Sequence, residues 1–172
     1  MKVKSMDELK RSYRLATIIG IAMIASLFVY VAVIEFIKKN SAPLNGFAPF
    51  PEVDILRYVL LGVAIACFFL IRFIKNRILS GKATIQKETI MYNLSAPIQR
   101  LLTASIITYA FCESVAIIGL VLFFIAGNSL DFYTFMVISL ILFSIYFPRY
   151  NQWEEWIKKQ GIRSENIEER KI

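Results

Sequence analysis

Residues 15–34 read LATIIGIAMIASLFVYVAVI, twenty positions without a charged side chain. At about 1.5 Å of rise per residue this run matches the roughly 30 Å hydrocarbon thickness of a bilayer, so it is expected to form a membrane-crossing helix. The run is too long for the apolar core of a typical secretory signal. It is also followed by Glu35, Lys38 and Lys39 instead of a small-residue cleavage site, so it is expected to stay in the membrane.

Three further runs extend the pattern. Ile55–Ile74 has an uncharged centre, Tyr58–Ile71, flanked by Arg57 and Arg72, whose long side chains can snorkel to the two interfaces. Leu101–Leu130 is interrupted by one ionisable side chain, Glu113, and Phe132–Pro148 is short, aromatic-rich and bounded by Asp131 and Arg149. A water-soluble fold of 172 residues cannot hide a composition that is 57% hydrophobic and 19% charged. The sequence therefore predicts an all-α polytopic membrane protein. Its single four-helix transmembrane domain, residues 1–172, has spans at about 15–36, 55–74, 100–127 and 131–148 arranged as two helical hairpins, with residues 149–172 as a tail.

Charge distribution predicts the orientation. Lys and Arg number five before the first span, six between Arg72 and Arg100 and six from Arg149 onward. The connection between the first two spans, counted through Arg57, has three, and the turn around Gly127-Asn128-Ser129 has none. Under the positive-inside rule both termini and the central loop are cytoplasmic, and a bacterial or archaeal plasma membrane is the expected location. The net charge of +7 is dispersed around the ends of apolar segments, which points to the lipid bilayer and its anionic phospholipids as partners and away from nucleic acid.

Chemistry is narrowed by what is missing. The chain has no histidine, and Cys67 and Cys112 lie inside apolar runs without metal-ligand spacing. Zinc, haem and iron-sulfur sites, a histidine base and a disulfide framework are therefore not expected, and the cysteines read as packing residues. Neither a cofactor nor an enzymatic activity is expected, because paired carboxylates, a nucleophile elbow and a metal motif are all absent from the sequence.

The connections are less informative. Ser41–Pro51 is a proline-rich, partly apolar external loop expected to lie on the membrane surface. Pro97 suits the first turn of a helix, so the third helix should begin near Ala96. In Asn151–Gln160, Trp153, Trp156 and Ile157 recur at helical spacing opposite Glu154, Glu155, Lys158 and Lys159. This reads as a short interfacial helix anchored by indoles, or else as a docking surface.

A faint repeat links the halves. Arg14-Leu-x-Thr17 opens the first span and Arg100-Leu-x-Thr103 the third; Asp54 precedes Arg72-Phe73 by 18 residues, as Asp131 precedes Arg149-Tyr150. Duplication of a hairpin and the shared demands of any two hairpins both account for it. If the repeat is real, Glu113 has no carboxylate counterpart near Ala25 and Ser26, and only one hairpin carries the acid.

Glu113 is the residue most suggestive of function. An ionised carboxylate at a helix centre costs about 2.5 to 3.5 kcal/mol on insertion scales, so the group is expected to be uncharged for much of the time or partnered. A carboxyl held in that balance can take up and release a proton near neutral pH. Ser105, Tyr109, Cys112, Ala116 and Gly119 recur at three- and four-residue spacing and should allow a neighbouring helix to approach closely. Tyr109 and Ala116 lie one turn to either side of Glu113, and the Tyr109 phenol is a candidate donor to the carboxylate.

The stretch Ala110–Phe124, AFCESVAIIGLVLFF, resembles the outer helix of subunit c, the proteolipid of rotary F-type and V-type ATPases. Ala110, Glu113, Ala116, Ile117, Gly119, Leu120, Val121 and Phe124 match that family's pattern around its ion-binding carboxylate, whereas the glycine-rich inner helix has no counterpart beyond Gly62. The resemblance implies proton or cation handling in an oligomer, either of copies of this chain or with other membrane subunits. Glu113, Tyr109, Ala110 and Ala116 are then the ion-binding candidates. The alternative is a non-catalytic scaffold or accessory subunit of a larger membrane complex, in which Glu113 serves helix packing.

Overall fold

The computed structural model describes residues 2–40, 50–79 and 96–169. These form five helices: α1 (Lys2–Asn40), α2 (Phe50–Leu79), α3 (Ala96–Ala126), α4 (Ser129–Tyr146) and α5 (Tyr150–Glu169). No strand occurs among the described residues. The first four are long and apolar enough to cross a membrane, and the chain is an integral membrane protein. Most of the external loop, the central loop between α2 and α3 and the last three residues lie outside the described residues.

Local sequence explains the helix ends. α3 begins at Ala96 with Pro97 in its first turn, as the missing amide proton of proline allows. It stops at Gly127, whose φ of 69° is accessible to glycine and strained for other residues, and whose amide bonds the Phe123 carbonyl at 2.8 Å. Asn128 then caps α4, its side-chain oxygen accepting from the Leu130 amide at 3.0 Å. Pro148 follows the end of α4 and separates it from α5.

α3 is the central helix. It packs against α4, α2 and α1, whereas α1 and α2 scarcely meet. Contacts at each end show the running directions: Tyr13 of α1 meets Tyr150 and Trp153 beyond the end of α4, while Glu35 of α1 meets Tyr133 near its start. Arg57 of α2 pairs with Asp131 of α4, and Phe68 of α2 meets Tyr146 of α4. α1 therefore runs antiparallel to α4, and α2 runs parallel to it. Among the described residues α3 packs closely on α4 across the Gly127 turn, whereas α1 and α2 each lie mainly on α3. The faint repeat has no echo in this packing, because α1 does not grip α2 as α3 grips α4.

Two buried clusters lie along the bundle. The larger runs through its middle and includes Tyr109, Cys112, Phe123, Phe132, Phe135 and Phe143. The smaller closes the end where α5 docks and joins Leu9, Ala16, Ile98, Leu101 and Trp153. Trp153 is only 5% exposed, so its indole is buried in protein instead of lying among headgroups as a lipid anchor. α5 is also longer than the ten-residue helix the sequence suggested. Phe28, Phe36, Phe69 and Phe73 project from the outer faces of α1 and α2, as side chains do where lipid is the solvent.

The expected close-packing face of α3 is turned to α4. A Cβ placed on Gly119 would sit 2.5 Å from the Phe135 Cβ, while one on Gly62 would meet nothing within 4 Å. Gly119→Ala is therefore expected to lower bundle stability by roughly 1 to 3 kcal/mol through overpacking, and Gly62→Ala to leave it unchanged. Unfolding of the two variants in mixed detergent micelles checks the difference.

Candidate functional site

Glu113 projects from the middle of α3 towards α1, on a different face from the one that grips α4. Its Oε1 accepts hydrogen bonds from the Ser26 hydroxyl at 2.6 Å and the Tyr30 hydroxyl at 2.8 Å. Ser26 and Tyr30 are one helical turn apart, so both hydroxyls fall on the same stripe of α1 and converge on one oxygen. No ion pair to Glu113 occurs among the described residues. The carboxyl is thus held by hydroxyls.

The Ser26 hydroxyl has one proton, and both the Met23 carbonyl and Glu113 Oε1 lie within its reach, with the Tyr30 hydroxyl beside them. Its Oγ lies 2.6 Å from the Met23 carbonyl as well as 2.6 Å from Glu113 Oε1. A carbonyl can only accept, so when Ser26 donates to Met23 its bond to Glu113 requires the proton to come from a neutral carboxyl. When Glu113 is ionised, Ser26 turns its proton to the carboxylate. The same heavy-atom arrangement accommodates both protonation states with a hydroxyl rotation.

The other residues expected at the site lie elsewhere. The Tyr109 hydroxyl does not reach Glu113. It is buried without a hydrogen-bond partner, its ring packed against Gly20 and stacked on Phe143 with centroids 6.0 Å apart. Ala110 is exposed, and Ala116 is fully buried in the central cluster. Cys112 is likewise core; its carbonyl accepts from Ser139 of α4 at 2.6 Å. Ser26 and Tyr30 were not anticipated, although two hydroxyls one turn apart in an otherwise apolar run was the available signal.

A second polar group occupies the end of the bundle opposite α5. Arg57 forms a two-pronged ion pair with Asp131, Nε to Oδ1 at 2.7 Å and Nη2 to Oδ2 at 2.8 Å, and a third contact to Asp54 at 2.8 Å. Asp131 is 7% exposed, so this pair ties α2 to α4 with little competition from water. Beside it, Tyr133 donates to Glu35, which also pairs with Lys38 at 3.0 Å. Sequence reading treated Arg57 and Asp131 as separate interface markers. Their pairing depends on how α2 and α4 lie on α3, which spacing along the chain does not encode.

A family model described as "Chitin synthase N-terminal putative transporter domain" matches residues 10–165. No curated protein and no solved structure matches the chain. The match spans all four membrane helices and belongs to a family other than ATPase subunit c, which corrects the resemblance drawn from α3 alone. Small residues beside a mid-membrane acid arise wherever two helices pack closely, and here Gly119 serves contact with α4 of the same chain. The proteolipid reading is withdrawn with it. The match also points to a eukaryotic membrane instead of a bacterial or archaeal one.

Tyr30→Phe removes a donor to Glu113 and should cost about 1 kcal/mol of bundle stability. Tyr109→Phe removes a hydroxyl that has no partner and should leave stability unchanged or raise it. Comparing the two variants by loss of helicity on denaturing-detergent titration tests which tyrosine serves the carboxyl.

Proposed function

The chain belongs to the family of the chitin synthase N-terminal domain, and from that membership we propose that it is a non-enzymatic membrane transport module in which Glu113 handles a proton or a small monovalent cation. The observation that carries this reading is the Ser26 hydroxyl placed between Glu113 Oε1 and the Met23 carbonyl. A carboxyl whose hydrogen bonds persist in both charge states can gain and lose a proton without repacking the helices around it. Ser26, Tyr30 and Glu113 also gather hydroxyl and carboxyl oxygens in one place between α1 and α3, the ligand type a hard cation prefers. The family's description as a transporter domain supports the same assignment.

In this reading both termini are cytoplasmic. Support comes from the excess of Lys and Arg in the N-terminal, central and C-terminal segments and from the meeting of α1, α3 and α5 at one end in the Leu9, Ile98 and Trp153 cluster. The module works in an oligomer or beside other membrane subunits.

One observation favours a second reading, a scaffold within a larger membrane complex. The bonds to Glu113 also join α1, which has a broad lipid-facing surface, to the middle of α3. In that case the carboxyl acts as a clasp and need not titrate.

Glu113→Gln separates the two. For ion handling, the variant assembles normally but loses pH-gradient dissipation in proteoliposomes, and a hydrophobic carbodiimide modifies wild-type Glu113 more slowly as pH rises. For the scaffold, Glu113→Gln fails to assemble and the wild-type carboxyl is inert to the reagent.

A further inference from the structure

Lys75 is a cation in an unusual position. It lies one turn beyond the uncharged stretch Tyr58–Ile71 of α2, partly buried in a pocket of about 170 Å³ between α2, α3 and α5. Among the described residues no carboxylate comes within ion-pairing distance of it. Its ammonium lies over the ring of Tyr146, 5.9 Å from Nζ to the centroid. Drawing an ammonium away from water without a counter-charge is costly, and a ring face offsets only part of that cost.

The pocket offers what a small anion needs. Ser105 and Gln152 add a hydroxyl and an amide to the Lys75 ammonium, and Trp153 and Trp156 add aromatic walls. A volume of about 170 Å³ is below the range of roughly 300 to 1,000 Å³ for sites that enclose drug-sized ligands, so the occupant inserts one compact group. Depth identifies the source. The pocket sits where the apolar run of α2 gives way to charge, beside the Trp153 cluster, at the level where headgroup phosphates of one leaflet are always present.

We propose that this pocket holds the phosphate of an anionic phospholipid, with Lys75 as its counter-charge and Ser105 and Gln152 as further donors. The site is built from different residues from those around Glu113 and does not depend on the function assigned there. A lipid seated there would bridge the end of α2 to α5, fastening the last helix to the bundle on the side away from Tyr13.

Both tryptophans of the chain line the pocket, so intrinsic fluorescence reads the site directly. The full chain is placed in nanodiscs of phosphatidylcholine with an increasing fraction of phosphatidylglycerol. A saturable change in emission is expected, weakened about tenfold or more by Lys75→Gln, kept by Lys75→Arg and unaffected by Lys10→Gln, a basic residue outside the pocket. The proposal is overturned if emission does not saturate, if Lys75→Gln behaves as wild type, or if Lys10→Gln weakens the response equally and so reveals diffuse attraction. It is also overturned if soluble glycerol 3-phosphate gives the same change in phosphatidylcholine-only discs, which would make the occupant a solute.

Discussion

In hydrocarbon, an apolar side chain gains little by leaving lipid for a neighbouring helix, so the bundle cannot rely on the force that collapses soluble proteins. What remains is close van der Waals contact where backbones approach, and hydrogen bonds where polar groups would otherwise be stranded. α3 supplies both. Its Gly119 lets Phe135 of α4 press against the backbone, and on another face Glu113 collects two hydroxyls from α1. The other helices are arranged around those two attachments, with α2 fixed at one end by Arg57 and Asp131.

This division of labour gives the helices different standing. The α3–α4 pair is a tightly connected hairpin, turned by Gly127 and capped by Asn128. α1 and α2 lie on it separately and keep large apolar faces towards lipid. A movement of α1 would be resisted mainly by the Glu113 cluster at mid-depth, by Glu35 and Tyr133 at one end and by Tyr13 at the other. Any change in the charge of Glu113 is therefore felt first by α1, whichever function the carboxyl serves.

Much of the architecture was legible because membrane spans announce themselves locally. The uncharged run Leu15–Ile34 and the start of α3 at Pro97 need no knowledge of tertiary contacts. The packing face of α3 was legible for the same reason, as small residues at helical spacing have a direct geometric meaning. Pairings between helices were not. Glu113 stood out as an acid in lipid, but Tyr109, one turn away on the same helix, was a nearer candidate in sequence than Ser26 and Tyr30 on another. Arg57 looked like a snorkelling residue because its partner lies on α4, and Trp153 looked like a lipid anchor because Tyr13 is remote in sequence. The likeness of α3 to an ATPase proteolipid failed for a related reason: one helix carries too little information to identify a family that the whole chain identifies differently.

The unequal helix lengths have a consequence for the surrounding membrane. α4 has 18 residues, roughly 27 Å at 1.5 Å each, and is shorter than the ~30 Å apolar slab of an average bilayer. A long helix can tilt to fit a thin slab, but a short one cannot stretch to fit a thick one. Acyl chains beside α4 must compress, at a cost that grows with each ångström of mismatch. A bilayer with a thinner apolar slab therefore accommodates the shortest helix of this bundle with less deformation than a thicker one.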